Sequence, residues 1–453
     1  MYVFSMSLVC LFVLIAFDWP AHSEEIIPEA EFPVFLDPDP EPEYPLSSLP
    51  EDALPFTPSL PDDFVIGEIL VKFKERVKPD NPGLYDLKNE VAAEYVHTHD
   101  RINVHLFKAK KAKGKEDTLK AVEKFQRHPL VEYAEPNGIV SASYMPNDPY
   151  LEQGYQYGLF HIRAPEAWDY YNLLTPGDVI AILDTGVNYN HPDLSGKVVF
   201  AREKFGNCIN PGSLPMDDDY VTKGHGTAVA GIAAATGNNS VGITGTAYKE
   251  KILPVKVLAA NGKGTWDQII CGINLTLPIS KAKIMNMSLG GSGGSQTLYD
   301  AIYSAWANYG KIVVVAQGNT NSDDNGGNDP SYPACYSLNG IAISVGATDW
   351  NDYHYQYSKV NNCITVSAPG DLIFTTKYDP TKGLLTYSYF AGTSFAAPFV
   401  SGTAAMAFSY DTSRTNNSIR DLLSGTAVDL GAYGWDSSFG YGLIDAYRAV
   451  KGY

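Results

Sequence analysis

Five short runs in the second half of the chain, VIAILDTG, ILPVKVL, AKIMNMSLGG, KIVVVAQGN and IAISVGAT, are apolar at nearly every position rather than at alternate ones. A strand with that pattern is buried on both faces, so its sheet needs a covering layer on each side. The intervening runs supply one: GTAVAGIAAAT, TWDQIICGINLTL and SQTLYDAIYSAWANYG read as helices. Strands separated by helices predict an α/β architecture from about residue 145 onward, a mostly parallel sheet with helices on both faces. In such sheets ligands sit beyond the carboxyl ends of the strands, so polar residues just past those ends are the ones to examine for chemistry.

Residues 64–141 read differently. EILVKFK alternates as a strand, LYDLKNEVAAEYV has helical spacing, and RINVHLFKA is a second strand pattern. EDTLKAVEKFQRH is helical again and VEYAEPNGIV closes as a strand, an order that resembles a small α+β ferredoxin-like sandwich. Residues 24–63 contain twelve acidic residues, ten prolines and no Lys or Arg. Such a stretch cannot bury enough apolar surface to offset its ordering entropy, and is expected to be an acidic, proline-rich linker. Leu8 to Phe17 is an unbroken apolar run too short to span a bilayer, followed by the small residues Ala21 and Ser23. It reads as a signal peptide over 1–23. The expectation is a secreted protein with no membrane span and a main domain over 142–453.

Charge narrows the partners. The net charge is −18, with 14 basic and 12 acidic residues in 64–141 against 19 and 26 from 142 onward. No basic stripe is present, which argues against a nucleic-acid partner, while the two segments carry weakly complementary charge. Cys10 leaves with the signal, and Cys208, Cys271, Cys335 and Cys363 remain. With no C-x-x-C, zinc and thioredoxin-like chemistry fall away. In an exported protein four cysteines favour one or two disulfides, and three pairings stay open.

Three polar residues follow the strand and glycine signals. Asp184 ends VIAILD, His225 lies between Gly224 and Gly226 before a helix, and Ser394 opens GTSFAAPFVSG, whose first turn Pro398 interrupts. Each has an ordinary use, as turn residue, helix-start residue and helix cap. Together they are the types acyl transfer needs: a hydroxyl nucleophile, a base for its proton, and a carboxylate to fix the imidazole tautomer. Of His161, His191, His225 and His354, only His225 is flanked by glycines at a helix start. A competing serine is Ser292, in the G-x-S-x-G match Gly290–Gly294, with Asp323 and His354 downstream in a hydrolase order for an esterase. Glycine-rich stretches meet that pattern easily, and no HGGG-like motif lies upstream.

LDTGVNYNHPDL, GHGTAVAGIAA, MSLGG, AQGN and GTSFAAPFVSG, in that order, resemble the motifs of the subtilisin-like serine proteases. The likeness runs from about Tyr144 to the end, and NDPYLEQGYQYG and NNSVGITGTA are similar to thermitase-type members. The chain order Asp, His, Ser is that of subtilisin. This resemblance implies a serine endopeptidase with Asp184, His225 and Ser394 as the triad and Asn319 as a side-chain donor to the oxyanion; a catalytically silent scaffold of the same fold is the rival reading. It implies an extended protein or peptide substrate laid against Met287–Gly291 and Gly262–Thr265. Gly264, Ser288 and Gly290 would contact it, Trp266 and Leu289 would wall a fourth subsite, and bulky apolar side chains would be preferred. It implies a structural Ca²⁺ held by Asp148, Asp193 and Asn239, with carbonyls near Thr236, Val241 and Ile243. The runs Asp217–Asp219 and Asp323–Asp324 are candidates for a second ion, but such runs are usually solvated loops, which is the expectation here.

The likeness extends to regulation and cross-links. Cys335 and Cys363 flank IAISVGAT as a disulfide pair does in aqualysin-like relatives, leaving Cys208 with Cys271. Residues 64–141 resemble the family's inhibitory propeptide, its last strand leading into the substrate groove and self-cleavage falling near 141–145; the enzyme would act as a monomer. Three positions depart from the family pattern. Gln317 stands where Ala is usual, and Phe395 and Phe399 replace the more usual Met and His, which predicts a bulkier pocket behind the nucleophile.

Overall fold

The computed structural model describes residues 64–74, 77–139, 145–171, 177–201, 206–321 and 327–453. The expected signal peptide, the acidic linker, the cleavage region and Asp323–Asp324 lie outside the described residues. The chain divides into two units, one ending at Ile139 and one running from Val140 to Tyr453.

In the first unit, strands β1 (Phe64–Phe73), β2 (Ala93–His99), β3 (Val104–Ala109) and β4 (Val131–Gly138) form a sheet in the order β2-β3-β1-β4. All its pairings are antiparallel. Helices Tyr85–Val91 and Lys115–Gln126 complete a strand-helix-strand-strand-helix-strand order, the expected ferredoxin-like plan. Ile69, Val71, Phe107 and Phe125 are at its core. One expectation fails. The helical spacing of 84–96 stops at Val91, because Ala92 turns left-handed at φ 49° and Ala93–His99 pairs with β3. Tyr95, Val96 and Thr98 suit a pleated surface better than a helix, and the cross-strand bonds decide the outcome.

The second unit holds a six-stranded sheet of β5 (Val179–Asp184), β6 (Lys251–Lys256), β7 (Ile284–Met287), β8 (Ile312–Ala316), β9 (Ile343–Thr348) and β10 (Val366–Pro369), in the order β10-β9-β8-β7-β5-β6. Every pairing is parallel. The five apolar runs are β5 to β9, and the residues of β5, β7, β8 and β9 are all buried, as strands covered on both faces require. The four-residue β10, VSAP, is too short and too proline-bound to read as a strand, and it exists because β9 offers it an edge. A hairpin of β11 (Ile373–Asp379) and β12 (Leu384–Phe390) leads into the helix Thr393–Tyr410. That helix is apolar all round and buried along most of its length, so packing rather than amphipathic patterning holds it.

Topology sets the site. β5 pairs with β6 on one side and β7 on the other, so the chain changes direction across the sheet at the strand that ends in Asp184. Disulfides join Cys208 to Cys271 and Cys335 to Cys363, with Cα atoms 6.0 Å and 4.7 Å apart. Among the described residues no helix is long and apolar enough to cross a membrane.

Candidate active site

Asp184 is the last residue of β5 and His225 the first of the helix His225–Ala234. The two elements approach closely at Gly226, where an added Cβ would lie 2.1 Å from Gly186 O and 3.1 Å from Asp184 Cβ. Glycine there lets the imidazole reach the strand end: His225 Nδ1 lies 2.8 Å from Asp184 Oδ1. With Nδ1–H donating to that carboxylate, Nε2 is left as the acceptor. Asp184 is fully buried; its Oδ1 also accepts from Thr185 N at 2.7 Å, and among the described residues its Oδ2 has no hydrogen-bond partner. Burial alone would lower the His225 pKa. The Asp184 charge and hydrogen bond, with Asp219 and Asp217 behind, outweigh it and raise the imidazole above its ordinary value.

The run Asp217–Asp219 is not a solvated loop. Asp217 and Asp219 are buried, and only Asp218 faces out, paired with Lys256 at 2.7 Å. Asp217 accepts from Thr185 Oγ1 at 2.9 Å and from Thr227 N and Oγ1 at 2.9 and 2.6 Å. Asp219 accepts from His225 N at 3.2 Å and from Val221 N at 2.9 Å. The run therefore ties the end of β5 to the first turn of the histidine helix. Three like residues in sequence carry no sign of which carboxylates turn inward, which is why reading by composition put them in solvent.

Ser394 is the second residue of its helix, and Gly392, at φ 133°, precedes it. Ser394 is not used as the cap. Its Oγ donates to Ser288 O at 3.3 Å, while Ser288 Oγ donates back to Ser394 O at 2.6 Å. The next residue, Phe395, sets its ring 5.4 Å from that of His225, so the helix start and the imidazole are neighbours. Among the described residues no hydrogen bond joins Ser394 to His225; nucleophile–base contacts commonly tighten only with a ligand in place. Asn319 lies just past β8 and its Oδ1 accepts from Thr393 N at 3.1 Å and Thr393 Oγ1 at 3.3 Å. An added Cβ on Gly392 would lie 3.2 Å from Asn319 Nδ2. The carboxamide oxygen is thus occupied, and its Nδ2 lies close to Gly392, two residues before Ser394.

This arrangement has known counterparts. A family model described as the Subtilase family matches residues 175–442, more than half of the chain. The chain is a subtilase. A second model, the Fervidolysin N-terminal prodomain, matches residues 50–137 and so begins inside the stretch read as linker. The subtilase is 38% identical over 388 residues to a thermophilic serine proteinase of Bacillus sp. (strain AK1), covering 85% of this chain and 88% of that one. It is 42% identical over 308 residues to thermitase of Thermoactinomyces vulgaris, covering 68% and 100%. Among solved structures it resembles proteases from Pseudoalteromonas arctica PAMC 21717, with TM-score 0.58 and 30% identity, over 68% of this chain and 99% of that one. This subtilase is a thermitase-like serine endopeptidase with an N-terminal prodomain, and so a zymogen.

Around its site the subtilase has a cleft of about 680 Å³. Gly264, Trp266, Ser288, Leu289 and Gly290 all line it, together with His225. Trp266 begins a helix whose Thr265 cap and Gln268 form a reciprocal capping box, which fixes where the helix starts. Gln317 faces away from the cleft: fully buried, it bonds Ser344 and Asn361. Phe395 and Phe399 are both buried, Phe395 against Phe390 at 5.0 Å, while an added Cβ on Gly158 would lie 2.8 Å from the Phe399 ring. The rings fill the space behind the helix start rather than enlarging a pocket. Ser292 sits on an exposed turn, and the next helix begins only at Gln296, so no strand-to-helix elbow forms there. His354 packs on Phe439, with ring centroids 6.0 Å apart.

The residues expected to hold calcium do gather. Asp148 accepts from Asn238 N at 2.7 Å and Asn239 N at 3.2 Å. Asp193 accepts from Asn239 Nδ2 at 3.2 Å and Ile243 N at 2.9 Å, and Thr236 N donates to its main-chain carbonyl at 2.8 Å. Asn239 Oδ1 accepts from Val241 N at 2.8 Å. Burial pushes the Asp193 carboxyl up to about 6, against the bonds it accepts, and the nearby Asp148 charge adds to the rise. Two buried carboxylates beside the Asn239 carboxamide are oxygen ligands of the kind Ca²⁺ takes. Among the described residues no group of three or more His, Cys, Asp or Glu side chains gathers to hold a metal.

Proposed function

We propose that this subtilase cleaves peptide bonds with Ser394 as nucleophile, His225 as general base and acid, and Asp184 as the carboxylate that orients the imidazole. The single observation that carries the reading is the 2.8 Å His225–Asp184 bond with the Ser394 helix start beside it. Nδ1–H bonded to a buried carboxylate leaves Nε2 to take the serine proton and then return it to the leaving amine. The Asn319 side-chain N–H₂ and the Ser394 backbone N–H stabilise the oxyanion, helped by the positive end of the helix. Substrate lies extended against Ser288–Gly290 and Gly264, and the Trp266 and Leu289 walls favour bulky apolar side chains.

The same reading makes the protein a secreted precursor. Residues 1–23 are the signal peptide, 24–63 the linker, 64–141 the inhibitory prodomain and 142–453 the peptidase, freed by self-cleavage near 141–145. Asp148, Asp193 and Asn239, with carbonyls near Thr236, Val241 and Ile243, would hold a Ca²⁺, which would supply positive charge between the two carboxylates and a cross-link from the loop to the start of the mature domain. A Ser394→Ala variant tests the whole reading: it should accumulate as uncut precursor and fail to digest casein. Normal processing and digestion by that variant would remove the assignment.

A further inference from the structure

Pro398 leaves the helix that carries Ser394 incomplete at one atom. In an α-helix the carbonyl of residue 394 accepts the N–H of residue 398, four residues on. Pro398 has no N–H, and its ring crowds the same carbonyl. The carbonyl left without its helical donor is therefore that of Ser394 itself.

Ser288 supplies one. Its Oγ lies 2.6 Å from Ser394 O. Behind it, Asn286 Nδ2 donates to Ser288 Oγ at 2.9 Å, and Ser401 Oγ donates to Asn286 Oδ1 at 2.8 Å. Asn286 and Ser401 are fully buried and Ser288 is 3% exposed, so water does not compete for these groups. Proton count fixes the direction of the chain. Ser288 has one hydroxyl proton; Asn286 fills its acceptor side, so that proton goes to Ser394 O. Ser394 Oγ in turn donates to Ser288 O at 3.3 Å, closing a reciprocal clasp. Both ends of the relay stand on one helix, about two turns apart, and its middle is the carboxyl end of β7.

We propose that Ser288, Asn286 and Ser401 are positioning residues that replace the donor Pro398 lacks. An ordinary residue at 398 would draw the Ser394 carbonyl along the helix axis. The relay draws it toward β7 instead, so the first helical turn is referenced to the segment Ser288–Gly290 that lines the cleft. The direction of Ser394 Oγ is set by the substrate wall rather than by the helix alone. This deepens the serine-protease reading and rests on Ser394 being the nucleophile.

The test is a rescue. Ser288→Ala should lower kcat about tenfold or more, the cost of a buried hydrogen bond, with KM within about twofold. Adding Pro398→Ala restores an N–H at 398 and should return most of that kcat; Ser401→Ala, at the far end of the relay, should lower kcat by a smaller factor, about threefold. Melting temperatures close to the wild type would establish that the comparison is between folded enzymes, and Ser401→Ala serves where Ser288→Ala does not fold. Wild-type kcat in Ser288→Ala, or a loss that Pro398→Ala leaves unchanged, would overturn the relay. Labelling with a sulfonyl fluoride separates the two claims. A wild-type enzyme labelled at Ser394 beside an unaffected Ser288→Ala variant removes only the relay; an active enzyme never labelled at Ser394 removes the protease reading beneath it.

Discussion

His225 is governed by carboxylates on two elements. Asp184 bonds its Nδ1, and Asp219 accepts from its backbone N–H while adding charge behind the ring. A general base works only when neutral, so a raised pKa means activity is lost on acidification sooner than for a free histidine, and the working range lies on the alkaline side. Asp219→Asn removes one negative charge and should move the acid limb of kcat/KM to lower pH; a limb that stays in place would show that Asp219 is only a strut. Asn319→Ala should reduce kcat with little change in KM. Removing such a donor in subtilisin costs about 10²–10³-fold in kcat, a figure belonging to that relative, and the same order is expected here. A change confined to KM would place Asn319 in ground-state binding.

At the scale of elements, the loop Thr236–Ile243 is held by Asp148 from one side and Asp193 from the other. If a divalent cation neutralises that pair, chelation should lower the melting temperature by several degrees, and Asp193→Asn should abolish the response; equal melting curves with and without chelator would remove the calcium assignment. The disulfide Cys208–Cys271 fastens the helix Trp266–Thr276, which starts at the cleft wall, to a segment running beside β6. Its double serine variant should lose about 2–4 kcal/mol of stability, measurable by denaturant unfolding of the Ser394→Ala protein. Elements of this kind were legible where one signal dominated. Unbroken apolar runs marked β5 to β9, and glycines around His225 marked its helix. β2 and β10 were missed because each takes its strand conformation from a partner: β3 in one case, β9 in the other.

Across the whole molecule, buried charge makes stability depend on pH. Glu250 is fully buried, its Oε1 accepting from Ser409 at 2.7 Å and Tyr171 at 3.2 Å and its Oε2 without a partner among the described residues. Burial pushes this carboxyl up to about 7, with Asp178 adding to the rise and the two donors and Lys197 opposing it. Below about 4.5 the group is protonated folded or unfolded. Between there and about 7 only the folded state keeps the proton, so stability falls as pH rises through that window. Glu250→Gln removes the ionisation, and its melting temperature should gain on the wild type between pH 5 and pH 8; a constant difference would contradict this. The sequence by itself determined the parallel α/β sheet, the two-unit plan and Asp184, His225 and Ser394 as candidates, because these depend on periodicity and on residue types at fixed local positions; Asn319 was implied by the likeness to the subtilisin-like proteases. Only the tertiary structure decided which acidic residues turn inward and that Pro398 and Ser288 meet at one carbonyl. Those outcomes depend on elements far apart in the chain, whose approach distances no local pattern encodes.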